Sequence, residues 1–278
     1  MNPAVHVRSL SKSYGQLQAV RDVDLDVGHG EVYAILGPNG AGKSTTIEIL
    51  EGHRKRDSGH VSVLGEDPGV AGREWRAKIG IVLQEVSDAG MLTVSETVRM
   101  FTKCYGAARV PEEVLELVGL GSVSESKVRT LSGGQRRRLD VALGIINLPA
   151  LLFLDEPTTG FDPEARLRFW DLIRLLARGG TTILLTTHYL EEAAALADRV
   201  AVIADGRVVA VDSPPNLIRY VNSAATVRWR ADGEIHTVQT DRPTELIRER
   251  SMAGTELIDL TVSRPTLEDA YLQLIGMK

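Results

Sequence analysis

Cysteine is almost missing from this chain: Cys104 stands alone among 278 residues. That excludes an intramolecular disulfide, a zinc site built on thiolates and a CxxC redox pair. It fits a reducing, cytosolic setting. Long apolar runs are also missing. The longest uncharged stretch, Val141 to Leu154, has 14 residues and contains Asn147 and Pro149, whereas a spanning helix needs about 20 apolar residues. The opening MNPAVHVRSLSKSYG has no apolar core of the kind a signal peptide needs. If the protein works at a membrane, another chain is expected to cross it. A basic surplus is lacking too. Acidic residues outnumber basic ones 37 to 32, for a formal charge of −5, so nothing in the balance asks for nucleic acid as a partner. No internal repeat and no low-complexity segment stands out.

What is present suits a globular chain with a proper core, at 43% hydrophobic and 25% charged residues. VHVRSL and VRDVDLDV alternate apolar with polar residues, the period of half-exposed antiparallel strands. EVYAILG, KIGIVLQ, LLFLDEP and TTILLTTH are short apolar runs that read as buried strands. Helical patterns lie between them. The clearest is DPEARLRFWDLIRLLARGG, with Asp162 as cap, Pro163 in the first turn and Gly179 at the end. RVAVIADGRVVAVD predicts a hairpin turning at Asp205-Gly206. Strands alternating with helices predict an α/β fold with a mostly parallel sheet. An antiparallel β subdomain is expected at the N-terminus, and a helical subdomain over about 85–150. After Pro214-Pro215 the pattern restarts with a hairpin at Asp232-Gly233, a helix, a strand and a closing helix. The expected domains are therefore 1–215 and a small accessory α/β domain, 216–278.

GPNGAGKS, Gly37 to Ser44, matches GxxxxGK[ST] and sits between a buried strand and a helix. Gly37, Gly40 and Gly42 let backbone N–H groups turn toward phosphate oxygens, aided by the positive end of the following helix. Lys43 can reach the β- and γ-phosphates and the Ser44 hydroxyl can ligate Mg²⁺. Pro38, Asn39, Ala41, Thr45 and Thr46 complete the candidate ATP-binding stretch. LLFLDEP places Asp155 and Glu156 at the carboxyl end of a buried strand, where open α/β sheets bind ligands. Asp155 is expected to hold Mg²⁺ through water, and Glu156 to polarise the attacking water. LSGGQ, Leu131 to Gln135, offers a second anion-binding helix start: Ser132 is a natural cap, and Gly133 and Gly134 allow close approach.

These motifs, in this order, resemble the ATP-binding subunits of ATP-binding-cassette (ABC) transporters, built on a P-loop NTPase core. The resemblance spans about Val5 to Asp212. It implies ATP and Mg²⁺ as cofactors and two ATPase subunits closing head-to-tail around two nucleotides. Ser132, Gly133, Gly134 and Gln135 then act across the dimer interface. It further implies that Tyr14 stacks on adenine, that Gln84 approaches Mg²⁺ and the attacking water, and that His188 touches the γ-phosphate. Asp162 links the two sites. Phe161 stands where the family usually has leucine, which touches the coupling between sites. The loop after Gln84 resembles the segment that meets the membrane partner.

The ending SRPTLEDAYLQLIG resembles that of export ATPases of the daunorubicin-resistance type, which pair with a separate six-helix permease. The resemblance thus implies small-molecule or drug export from the cytoplasmic face of the membrane, with polysaccharide or lipid export as an open alternative. A soluble ABC-type ATPase of translation or DNA repair is the rival reading. Such proteins carry two cassettes or a long coiled-coil insert, and neither is present. A P-loop kinase or GTPase is disfavoured by LSGGQ and by the Asp-Glu pair. His6, His29, His53, His60 and His236 show no partners in the sequence. The basic runs at Arg54 and Arg136–Arg138 read as solvated faces or interface contacts.

Overall fold

The strict alternation at the N-terminus becomes a sheet with one sealed face. β1 (Val5–Tyr14) pairs antiparallel with β2 (Leu17–Val27) and with β4 (Ser58–Val63), in the order β2-β1-β4. Val5, Val7, Leu10, Val20, Val23 and Val27 are fully buried on that face. A computed structural model of the chain describes residues 2–82, 90–105, 108–220, 224–231, 233–252 and 256–276.

β3 (Val32–Leu36), β5 (Ile79–Val82), β6 (Leu151–Asp155), β7 (Thr182–Thr186), β8 (Arg199–Ala204) and β9 (Arg207–Asp212) form the second sheet, in the order β5-β6-β7-β3-β8-β9. The pairs β5/β6, β6/β7, β7/β3 and β3/β8 are parallel. Every residue of β3 and β7 is buried, which is why these segments read as continuous apolar runs. Asp205 and Gly206 both have positive φ, 48° and 77°, at the turn joining β8 to β9. The order β6-β7-β3 matters for function: three neighbouring parallel strands deliver three separate loops to the same carboxyl edge.

α1 (Lys43–Leu50) leaves that edge after β3, and α2 (Arg73–Arg76) precedes β5. α3 (Val94–Thr102), α4 (Pro111–Leu117) and α5 (Gly133–Ile145) make up the helical part between β5 and β6. α3 begins with a capping box, Thr93 with Glu96. α6 (Pro163–Arg178) is capped by Asp162 and stops at Gly179, and α7 (Leu190–Leu196) follows β7.

The chain divides into two compact units, Met1–Val211 and Asp212–Lys278. The division falls a little earlier than 215/216. The reason is Asp212, whose Oδ1 accepts from Ser213 N at 2.7 Å and Asn216 Nδ2 at 2.8 Å, tying it to α8 (Pro214–Tyr220). The second unit also holds β10 (Ala225–Ala231), β11 (Glu234–Thr240) and β12 (Ile258–Ser263), ordered β11-β10-β12, with α9 (Pro243–Met252) and α10 (Leu267–Leu274). Val227, Trp229 and Ala231 form its small core with Val238, Leu246 and Ile247. Among the described residues no helix is long and apolar enough to cross a membrane.

Four histidines without apparent partners in the sequence have them in space; His60 meets the His6 ring edge-on at 5.9 Å. His6 Nδ1 lies 2.7 Å from Asp26 Oδ1, His53 Nδ1 lies 3.3 Å from Glu51 Oε2, and His236 stacks on Trp229 at 5.3 Å. Glu51, at the C-cap of α1, is only 3% exposed. Burial, reinforced by the negative charges of Asp155 and Glu48, pushes its carboxyl from 4.5 to about 8. The fold therefore favours the protonated form. Its contribution to stability is complete below about pH 4.5 and is lost as pH rises toward 8. Glu51→Gln is expected to melt at the parent's temperature near pH 4.5 and progressively above it by pH 8. Thermal melts across that range check this, and a parallel pair of curves contradicts it.

Candidate nucleotide site

Gly37 ends β3 against another strand's backbone: a Cβ there would lie 2.3 Å from the Ile203 carbonyl oxygen. Gly42, the N-cap of α1, has φ 98°, and a Cβ there would lie 2.3 Å from the Ala19 carbonyl oxygen. Both positions demand glycine. Lys43 is 8% exposed, and its Nζ donates to Gly37 O at 2.7 Å and Pro38 O at 3.1 Å. The ammonium thus folds back over the loop it follows. Burial lowers its pKa, against the opposing pull of Glu156 and Asp155.

The cleft above has a volume of about 490 Å³. Asn39, Gly40, Lys43, Ser44 and Thr45 line it, together with Tyr14, Asp155 and Glu156. The Ser44 side chain is exposed, whereas Ala41 and Thr46 are buried and the Thr46 hydroxyl donates to Gly42 O at 2.9 Å. Tyr14 is 40% exposed, with Lys12 and Arg54 over its ring at 5.7 and 5.3 Å.

Asp155 closes β6, and its Oδ1 accepts a hydrogen bond from Thr186 Oγ1 on β7. Glu156 has φ 45°, a left-handed conformation uncommon for a non-glycine residue. Its N–H donates to Thr186 O at 3.1 Å and to Thr186 Oγ1 at 3.2 Å, which holds the strained backbone in place. Glu156 Oε2 lies 3.3 Å from His188 Nδ1 and accepts from Thr159 Oγ1 at 3.4 Å. Two residues from different strand ends are therefore side by side at the cleft.

Ser132 opens α5 with a reciprocal capping box: its Oγ accepts from Gln135 N at 3.2 Å, and Gln135 Oε1 accepts from Ser132 N at 2.9 Å. A Cβ on Gly133 or Gly134 would meet nothing within 4 Å, and neither has a positive φ. Nothing inside the described chain requires glycine there. Asp162, exposed, accepts from Ala165 N at 2.7 Å as cap of α6. Phe161, 7% exposed, packs edge-on against Phe169 with centroids 5.8 Å apart. Its place is in the core beside α6. Gln84 lies outside the described residues.

The arginine triplet is not a solvated face. Arg137 is 6% exposed and donates through NH2 to Asp155 O at 2.5 Å and through Nε to Pro157 O at 3.2 Å. Arg138 donates to Gly119 O at 2.9 Å and Arg136 to Val128 O at 3.3 Å. These guanidinium groups satisfy backbone carbonyls left open at the ends of elements. Arg137 pins the helix behind Ser132 to the strand carrying Asp155. The spacing Arg137, Val141, Gly144, all buried on α5, is the signal that could have found it.

A phosphate loop, an acidic pair on the adjoining strand edge and a histidine beside the second acid define an ATPase of the P-loop class. The chain belongs to the ABC transporter family, whose profile matches residues 20–159, and it is an ATPase of that family. It is 47% identical to the daunorubicin/doxorubicin resistance ATP-binding protein DrrA of Streptomyces peucetius, over 98% of this chain and 92% of that one. It is 36% identical to the Nod factor export ATP-binding protein I of Rhizobium sp. (strain N33), over 98% and 97% of the two chains. Among solved structures it resembles a dimeric, post-hydrolysis ATP-binding cassette bound to ADP and Pi. There the TM-score is 0.68 and the identity 27%, over 75% of this chain and 98% of that one.

Proposed function

We propose that this chain powers export of a small molecule or drug through a separately encoded permease, from the cytoplasmic face of the membrane. Two copies close head-to-tail, each completing the other's ATP site. The observation that carries this reading is the start of α5. Its cap is built, its two glycines face open space, and a second anion-binding helix start has no use within one subunit. A close approach from outside the chain explains both glycines. Drug resistance and export in the relatives' names support the transport task.

The loop amides and Lys43 take the phosphates, and Tyr14 offers its exposed ring to the base. The hydroxyl of Ser44 and the carboxylate of Asp155 are the hard oxygen donors that suit Mg²⁺. Gln84 is proposed as a further contact to the metal and the attacking water. When bound, the metal supplies positive charge to the phosphoryl oxygens. Glu156 orients the water and accepts its proton, while His188, 3.3 Å from it, holds the γ-phosphate side. Ser132, Gly133, Gly134 and Gln135 reach the partner's nucleotide, and Asp162 carries the state of one site to the other. Positioning and charge, rather than covalent chemistry, do the catalysis.

Co-expression with a candidate six-helix partner permease tests the transport role. The chain is expected to sediment with membranes only when that permease is present, and its ATPase rate is expected to change there. Free, fully active chain regardless of any permease would favour the soluble-ATPase reading.

A further inference from the structure

Glu192 on α7 is a buried acid with no part in the chemistry above: it is 0% exposed. Trp170 Nε1 on α6 donates to its Oε1 at 3.2 Å. The hydroxyls of Thr187 and Thr158 also bear on the carboxyl. Glu192 Oε2 and Thr158 Oγ1 are both sealed from water, and neither has a hydrogen-bond partner of good geometry among the described residues. Burial raises the pKa of this carboxyl, against the pull of those donors and of Arg166.

The addresses of these partners matter. Thr187 directly precedes His188. Thr158 lies in the loop between Glu156 and Asp162. Trp170 stands on the helix that Asp162 caps. A second rung runs parallel: the His188 ring lies against Tyr189 at 4.1 Å, and Arg166 of α6 covers Tyr189 at 4.5 Å. Both rungs join α6 to the residues that follow β7.

We infer that Glu192 is a positioning residue, fastening α7 and the His188 loop to α6 and the Asp162 loop. His188 is then held where it meets Glu156, and a shift of Asp162 reaches it through α6. The inference rests on the role proposed above for His188.

The test uses the full chain with MgATP, with turnover and nucleotide binding measured separately. Glu192→Leu is expected to lower kcat about tenfold with KM within about twofold, because the substitution misplaces His188 but leaves the phosphate loop and Tyr14, which supply most of the nucleotide contacts, intact. Glu192→Gln, which keeps one acceptor and one donor, is expected to stay within about threefold of the parent. In a His188→Ala background, Glu192→Leu should slow turnover by no more than about twofold further, since its effect passes through His188. Unchanged kcat in Glu192→Leu overturns the inference, as does an equal reduction in both backgrounds or a Gln variant as slow as Leu. If Glu192→Leu fails to fold, Trp170→Phe takes its place, with an expected reduction of about threefold that vanishes in the His188→Ala background. An undiminished Trp170→Phe then counts against the clamp. If His188→Ala itself turns over normally, it is the role of His188 that fails instead.

Discussion

Glu156→Gln is expected to bind ATP as tightly as the parent, to turn over about 10²- to 10⁴-fold more slowly, and to accumulate as a closed dimer. The substitution keeps the shape of the side chain and removes its capacity to take a proton. Backbone geometry should survive, because the strained φ of 45° is held by main-chain and Thr186 contacts and not by the carboxylate. His188, 3.3 Å away in the parent, stays within reach of the amide. In the proposed mechanism binding and dimer closure precede the chemical step, so blocking that step is expected to trap the closed state. Single-turnover hydrolysis and light scattering with ATP check both halves. Turnover near the parent's rate would remove Glu156 from its role.

Lys43→Ala is expected to weaken ATP binding about 10- to 100-fold and to abolish measurable hydrolysis, since charge-assisted hydrogen bonds contribute about 1.5–3 kcal/mol each. The local geometry argues for the high end. The Lys43 ammonium occupies the carbonyl oxygens of Gly37 and Pro38 at 2.7 and 3.1 Å. Without it, those oxygens remain beside a bound phosphate with no cation between. Calorimetric titration with ATP checks the binding; unchanged affinity would mean the ammonium is structural.

The strand pattern and the site motifs were legible for a common reason: they depend on local periodicity and spacing. β1, β2, β3, β6 and β7 announce themselves by alternation or by full burial, and Asp162 caps α6 where its neighbours Pro163 and Gly179 say it should. β4 was not legible. Only Val61 and Val63 of its six residues are buried, and its place depends on pairing with distant β1. Nor were the partners of Arg137: its spacing with Val141 and Gly144 marks it as buried, but the carbonyls it serves belong to another element and leave no local pattern. The link between Glu156 and His188 needed the strand order β6-β7-β3, which no single stretch encodes. Phe161 could be recognised as unusual by position, but its edge-on contact with Phe169 is a property of packing.

Mixing two inactive variants tests the composite site most directly. Lys43→Ala spoils the phosphate loop of its own subunit, and Ser132→Arg fills the open space before α5, the side proposed to meet the partner's nucleotide. Heterodimers of the two carry one site with both halves intact. With random pairing at equal amounts, activity should return to about a quarter of the parent's, since half the dimers are mixed and each has one working site of two. A mixture as inactive as its components, under conditions where subunits exchange, would contradict the account.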